Sequence, residues 1–295
     1  MSLRQREEIA AYLLVAPWIL GLLLFTAFPM AASLALSFSE WNFLGDIKFV
    51  GLDNYRAMFS RDRDFVVSLG NTAYYTFIGV PLHTAFALLL ALPLSSKLKG
   101  IRYFRTAWYV PSVTPAVASA ILWILIYHPD FGLANTLLGI VKIPPQGWIF
   151  DSTMAKPAFI IMSMWSVGGQ MIIFLAGLQG VPQELYDAAS IDGAGRLRQF
   201  RHVTLPLISP ITFFNLVIGL IGSFQIFTAA YIMTNGGPAN QTLFYVLHLY
   251  RNAFEYLKFG YASTLAWGLF VIILFFTGIQ FLGAKRWVYY EVKVD

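Results

Sequence analysis

The sequence has no cysteine and few charges: Asp, Glu, Lys and Arg make up 12% of its 295 residues, against 58% apolar. Soluble domains average about 25% charged and about 45–50% apolar. So few charges cannot keep a globular surface in water, which excludes an ordinary soluble enzyme. The lack of cysteine excludes disulfide scaffolds, thiol catalysis and zinc sites of the Cys type. No stretch reads GxxxxGK[ST], so the chain does not hold and hydrolyse ATP through a phosphate loop. A mean hydropathy of +0.64 points instead to a membrane protein.

Six charge-free runs are present: Ile9–Ser39, Phe65–Ser96, Thr106–Pro129, Pro157–Gln183, Val203–Tyr250 and Phe259–Ala284. A bilayer core about 30 Å thick needs about 20 mostly apolar residues per helix. The fifth run is too long for one span and breaks at Thr234-Asn-Gly-Gly-Pro-Ala-Asn-Gln-Thr242, a cluster of turn-forming residues. The expectation is an all-α membrane protein, one transmembrane domain over 1–295. Its six spans fall at about 9–38, 68–95, 106–128, 157–180, 207–233 and 261–284. The first run follows Arg4 and Arg6 as a secretory signal would, but it is about twice the length of a signal's apolar region, so a retained helix is expected.

Lys and Arg positions set the orientation. The N-terminus, 95–105, 180–206 and the C-terminus fall on one side, with Arg4, Arg6, Lys97, Lys99, Arg102, Arg105, Arg196, Arg198, Arg201, Lys285, Arg286 and Lys293. Those 12 basic residues face 7 acidic ones, a net +5, while the other side holds 8 of each. The whole charge excess therefore lies on one face, which is expected to be cytoplasmic with both termini. The basic pI is a topology signal and no sign of nucleic-acid binding. Segments 41–64 and 129–156 become external loops. Leu243, Val246, Leu247, Tyr250, Phe254 and Leu257 recur at helical spacing. They fit either an amphipathic helix at the outer interface, with Arg251, Glu255 and Lys258 toward water, or a loop helix packed on the bundle.

No Asp, Glu, Lys or Arg lies within an expected span, whereas ion-coupled carriers usually keep an ionisable group there. His83, beside Pro81, reads first as a residue that bonds a neighbouring helix or lines a wet cavity. Any uphill transport then needs work from a partner subunit.

The segment between the fourth and fifth spans is the most informative. Pro182 suits a helix start, Glu184 and Asp187 favour the first turn, Ala188 and Ala189 keep one face thin, and Gly193 is a natural stop. A short exposed helix at about 182–195 either docks into a partner's groove or merely connects two spans.

Asp187-Ala188-Ala189, three residues, Gly193, nine residues, Val203, one residue, then Leu205-Pro206 resembles the "EAA" loop of binding-protein-dependent ABC import permeases at every spacing. Asp187 stands where that pattern has Glu, and Val203 where it has Ile. The longer string Glu184-Leu-Tyr-Asp-Ala-Ala-Ser-Ile-Asp-Gly-Ala-Gly195 resembles the carbohydrate-uptake branch, the maltose- and glycerol-phosphate-type permeases. So do Val50-Gly-Leu-Asp-Asn-Tyr55, Asn71-Thr72, Trp123 with Pro129, Gly132 and Asn135, Thr234-Asn-Gly-Gly-Pro238 and Phe259-Gly-Tyr-Ala262. The Thr234–Pro238 and Lys285–Glu291 stretches are most similar to the first permease of a heterodimeric pair. The extra N-terminal spans and large external insertion of the maltose permease are not seen in this sequence.

The resemblance implies the type I ABC importer permease fold in a bacterial cytoplasmic (inner) membrane, among membrane lipid. It implies a second homologous permease, two ATP-binding subunits that hold ATP and Mg, and an extracytoplasmic solute-binding protein. This chain is then no enzyme and carries no cofactor or metal of its own. Glu184, Tyr186, Asp187, Ala188, Ala189, Asp192, Gly193 and Phe200 are the expected ATPase-coupling residues.

A sugar path needs amide or hydroxyl groups beside aromatic rings in a wet cavity near mid-membrane. The fourth span offers Trp165, Gly169 and Gln170; the fifth offers Asn215, Gly219, Ser223, Gln225 and Tyr231. Small residues there also fit close helix packing. Without a Lys or Arg in any span, neutral oligosaccharides are favoured over anions. The rivals are a same-architecture permease for glycerol phosphate or another polar solute, and a passive channel or secondary carrier.

Overall fold

In the computed structural model residues 3–42, 45–96 and 99–289 are described. Lys97, Glu291 and Lys293, counted above, lie outside them. The described residues are mostly helical, with one two-residue antiparallel pair, Ser39–Glu40 (β1) with Lys48–Phe49 (β2). Among the described residues three helices are long and apolar enough to cross a bilayer: α1 (Leu3–Ser37), the helix Arg63–Leu94 and the helix Phe259–Ala284. Three bent pairs bring the possible spans to six.

Two compact units divide the chain. The first comprises residues 1–62 and 249–270. Here α1 leads through the β pair into α2 (Asp53–Ser60). Gly51 takes a φ of +59° at the turn before α2, a conformation glycine adopts without strain. Asn54 Nδ2 donates to Ser37 O (3.1 Å) and Ser39 O (2.9 Å), and Tyr55 Oη lies 2.8 Å from Ser37 Oγ. The start of the last helix closes onto the same corner. Phe259 N–H donates to Trp41 O at 3.0 Å, and a Cβ on Gly260 would stand 1.9 Å from Ser39 O. The Gly-Leu-Asp-Asn-Tyr and Phe-Gly-Tyr-Ala motifs are thus the two halves of one structural joint.

The second unit, residues 63–248 and 271–295, is built on α3 (Arg63–Leu94). It continues with α4 (Ile101–Val113), α5 (Ala116–Ile126), α6 (Leu133–Ile140), α7 (Ala155–Trp165) and α8 (Gly168–Gln179). Then follow α9 (Gln183–Ile191), α10 (Arg196–Leu207), α11 (Ser209–Phe224), α12 (Thr228–Met233) and the first part of α13 (Tyr245–Tyr250), and residues 271–284 of α14 (Phe259–Ala284), whose start belongs to the first unit, end the described helices. Along α3, Ser68, Thr72, Thr76, Val80, Thr84, Ala87 and Ala91 are buried at a spacing of three to four residues. This small and polar stripe lets α7, α8 and α11 approach closely. Two apolar clusters cap it, one around Tyr127, Phe159, Phe244 and Leu247, the other around Ala87, Val167, Met171 and Phe174.

Three expected spans differ in shape. The stretch 106–128 is split between α4 and α5, which meet at 102°. Pro115 lacks an N–H and pushes Thr114 out of the helical region, to ψ 133°, so the helix must end there. The stretch 157–180 bends by 50° between α7 and α8. The expected fifth span, 207–233, instead bends by 64° at Ile208, runs straight only from Ser209 to Phe224, and resumes as the separate α12. Pro210 cannot donate to Pro206 O, and Ser209 Oγ takes that acceptor at 2.6 Å.

Between the two alternatives for Leu243–Leu257, the helix packed on the bundle holds for its first part: Leu243, Phe244, Tyr245, Leu247 and His248 are buried.

Candidate functional site

Midway along α3, between the two apolar clusters, α3, α7, α8 and α11 leave a cavity of about 330 Å³. Gln170 on α8 joins three of its walls. Its Oε1 lies 3.1 Å from His83 Nδ1 and 3.5 Å from Thr84 Oγ1 on α3, and its Nε2 donates to Asn215 O on α11 at 3.3 Å. Ser223 Oγ, one turn beyond Gly219, lies 2.9 Å from Thr76 Oγ1. Tyr75, Ser163 and Ser166 supply further hydroxyls, and Ile218 and Ile226 apolar surface. Among the described residues no Asp, Glu, Lys or Arg lines the cavity, whose walls are rich in hydrogen-bonding groups.

Of the expected path residues, Gln170, Gly219 and Ser223 meet at this cavity. Gly219 brings α11 against α3; a Cβ there would come within 2.9 Å of Val80 Cγ1. Asn215 lies just beside it, 1% exposed, with neither amide atom hydrogen-bonded among the described residues. The others do not line it. Trp165 packs its ring edge on Trp123 (6.1 Å), Tyr231 stacks on Phe227 (5.5 Å), Gln225 is exposed, and Gly169 has no neighbour within 4 Å of a Cβ. Sequence reasoning missed the α3 wall, namely Tyr75, Gly79 and Val80, along with Ser163. The signal was available in the buried stripe of α3, whose Thr76, Gly79, His83 and Thr84 share one face.

The segment expected as a docking helix folds as α9, with Pro182 as N-cap and no buried residue. Gly193 N–H donates to Ser190 O (3.0 Å) and Ala194 N–H to Ala189 O (2.9 Å), with Gly193 at φ +75°. This pair of bonds is a Schellman stop, and it needs the left-handed conformation glycine gives freely. Glu184, Asp187, Ala188, Asp192 and Gly193 are exposed, and Ala189 and Phe200 half-buried. Tyr186 turns inward, its Oη 2.9 Å from the buried Thr204 Oγ1 on α10. Gln199 Nε2 ties the far end, donating to Ser190 Oγ (2.8 Å) and Ala194 O (3.1 Å). The loop thus holds a rigid, outward-facing helix one bend away from the cavity-lining α11.

On the opposite end of the unit, two motif residues prove structural. Asn71 Nδ2 donates to Asn240 O (2.7 Å) and Leu243 O (3.1 Å), anchoring the Thr234–Thr242 turn to α3. Asn135 Nδ2 donates to Pro129 O and Gln146 O, while its Oδ1 accepts from Gln146 N–H and Trp148 Nε1–H.

Known proteins share both sequence and fold with the chain. Residues 66–288 match the family described as binding-protein-dependent transport system inner membrane component. The "Probable ABC transporter permease protein YesP" of Bacillus subtilis (strain 168) is 42% identical over 99% of this chain and 95% of its own length. The arabinooligosaccharides transport system permease protein AraP of the same organism is 35% identical over 91% of this chain and 86% of its own. The trehalose/maltose transport system permease protein MalF of Thermococcus litoralis is 33% identical over 94% of each chain. A chain from the crystal structure of a bacterial ABC transporter involved in alginate import superimposes with a TM-score of 0.83 at 20% identity, over 95% of this chain and 96% of that one. Together with the exposed α9 and the polar cavity, these matches show that the chain belongs to the binding-protein-dependent transport system inner membrane components, the permease subunits of ABC transporters.

Proposed function

We propose that this chain is one of two transmembrane subunits of an ATP-driven importer for a sugar, with neutral oligosaccharides as the favoured class. It crosses the membrane six times, α4–α5, α7–α8 and α10–α11 each counting once, with both termini and α9 in the cytoplasm. The observation that carries this is the exposed α9, rigidly stopped at Gly193 and hydrogen-bonded through Tyr186 to the helix leading into the cavity wall. A helix held this way transmits a partner's push into α11, whereas a mere connector has no need of two rigid ends. Two ATP-binding subunits would supply that push, gripping α9 and its counterpart in a second permease. Their closure would rock the two permeases and turn the cavity outward, where an extracytoplasmic binding protein delivers solute; hydrolysis would reverse it.

Two facts support a sugar. The cavity offers amide and hydroxyl groups with no fixed charge, and several relatives are named for oligosaccharide transport. Glycerol phosphate or another polar solute is the second candidate. It is disfavoured because an anion gains most from a cation at its site.

Gly193→Val tests the coupling role. A β-branched residue at φ +75° costs about 1–3 kcal/mol, so the Schellman stop should open and ATP hydrolysis should run without uptake. Gly193→Asn, which tolerates the left-handed region, should keep most of the coupling. Tagged purification followed by mass spectrometry should recover an ATPase with a phosphate-binding loop. Normal coupling in the valine variant, or a chain that purifies without an ATPase, overturns the proposal.

A further inference from the structure

A second cavity, of about 340 Å³, lies between α4 and α8 at the α9 end of the unit, away from the polar one. Arg105, Thr106 and Tyr109 of α4 form one side; Ile172, Ala176 and Gln179 of α8 form the other. The helices touch at Gly168, where a Cβ would lie 2.3 Å from Trp108 O, and diverge below it into this groove.

The setting is that of an interfacial helix. α4 turns by 102° from the apolar α5, so its first turns, which carry Ile101–Arg105, leave the direction of the span at the α9 end. Its inner face, Ile101 and Trp108, packs on the apolar cluster of α3 and α8. Tyr103 and Phe104, 80% and 64% exposed, face outward. Lys99, Arg102 and Arg105 fall on and just before α4, and no acidic residue occurs between Asp64 and Asp130. Arg105 is fixed by two bonds, Nε and Nη2 to Leu94 O at 2.9 and 2.6 Å. Its Nη1 donors make no hydrogen bond among the described residues, and Arg105 has no ion-pair partner there.

We infer that this groove binds an anionic phospholipid, its phosphate on Arg105 and its acyl chain along Ile172 and Ala176. Charge complementarity selects the headgroup: three cations with no acid nearby in sequence favour anionic over zwitterionic lipid. The apolar α8 wall selects a lipid over a free anion. Placed where α8 runs into Pro182 and α9, the lipid would brace the helix that precedes the coupling loop.

Native mass spectrometry of the purified importer complex, offered phosphatidylglycerol, phosphatidylcholine or inorganic phosphate, tests this. Phosphatidylglycerol should be retained about tenfold over phosphatidylcholine, as expected for a few basic residues acting together, and millimolar phosphate should not displace it. Arg105→Gln should lower the preference several-fold, and adding Lys99→Gln and Arg102→Gln should abolish it. Ala176→Phe fills the groove from an exposed position with the charges intact, and should remove the bound lipid while the complex stays assembled. Equal retention of both lipids, displacement by phosphate, or an Ala176→Phe complex that keeps its lipid would overturn the inference.

Discussion

Two adjacent glycines at the start of α8 make opposite demands. A Cβ on Gly168 would lie 2.3 Å from Trp108 O and 2.7 Å from Tyr109 Cα, both backbone atoms of α4. Neither can swing aside, and α4 cannot retreat freely. Trp108 is wedged edge-on against Phe86 at 5.8 Å, and Arg105 is clamped to Leu94 O. Overpacking of this kind costs about 1–3 kcal/mol. A Cβ on Gly169 would meet nothing within 4 Å. There alanine gains helix propensity, up to about 1 kcal/mol. At about 2–4 °C per kcal/mol for a chain of this size, Gly168→Ala should melt roughly 2–12 °C below the wild type, and Gly169→Ala at or above it. The assay is thermal unfolding of the purified importer in one detergent, followed by tryptophan fluorescence. Equal shifts for the two variants, or a larger drop at Gly169, would refute the packing of α4 on α8.

Other substitutions probe the cavity and the loops between helices. Gln170→Ala removes contacts to His83, Thr84 and Asn215 that are worth about 0.6 kcal/mol each in a membrane interior; uptake should fall roughly 5- to 30-fold with assembly intact, and Ser223→Ala should do so more mildly. Asn135→Leu strips four hydrogen bonds from the 129–148 loop. At about 1 kcal/mol each, it should expose that loop to protease while leaving the polar cavity unaltered. Asp151 closes the turn before α7 by accepting from Thr153 N–H, Thr153 Oγ1–H and Met154 N–H, and these bonds hold its carboxyl below the ordinary range. Its contribution is therefore present above the ordinary carboxylate value, about pH 4, and is lost as pH falls through the lower folded value. Amide exchange at Thr153 and Met154 should stay slow at neutral pH and rise only in strong acid, a step that Asp151→Asn should remove.

Much of this was legible in the sequence because the membrane leaves few options. Charge-free runs locate helices since every buried backbone group must bond within its own segment, and Pro182, Glu184 and Gly193 mark both ends of α9. The bends were not legible. A charge-free stretch such as 106–128 records depth-compatible composition, not direction, and only Thr114-Pro115 inside it marked the 102° turn. The break inside 207–233 is hidden for the same reason: no Gly or Pro stands at 225–227, yet the helix stops at Phe224 and resumes at Thr228. Among the expected path residues, polarity singles out Gln170 and Ser223, and both line the cavity. Trp165 and Tyr231 carry equally suitable chemistry but spend it on Trp123 and Phe227. The α3 wall went unseen because its Tyr75, Gly79 and Val80 are ordinary residues for a helix interior, and only partner helices decide which face becomes a cavity.

Gln170 and Gly219 join α11 to α8 and α3, so a displacement of α9 carried along α10 would reach the cavity wall. From Tyr186 the chain passes through Thr204 on α10, across the bend at Ile208, and into α11, whose Asn215 carbonyl and Gly219 meet Gln170 and Val80. Because Gly219 has no side chain to absorb movement, a shift of α11 is felt at once by α3. Because Gln170 bonds both α3 and α11, the same shift changes the length of its contacts at 3.1–3.5 Å, which are long enough to break in turn. Gln170 Nε2 spans to a backbone carbonyl, while the Asn215 amide beside it is buried and unpaired. An unpaired buried amide is costly, by about 1–3 kcal/mol. In the proposed importer, a partner docked on α9 would act on this cavity wall through α10 and α11.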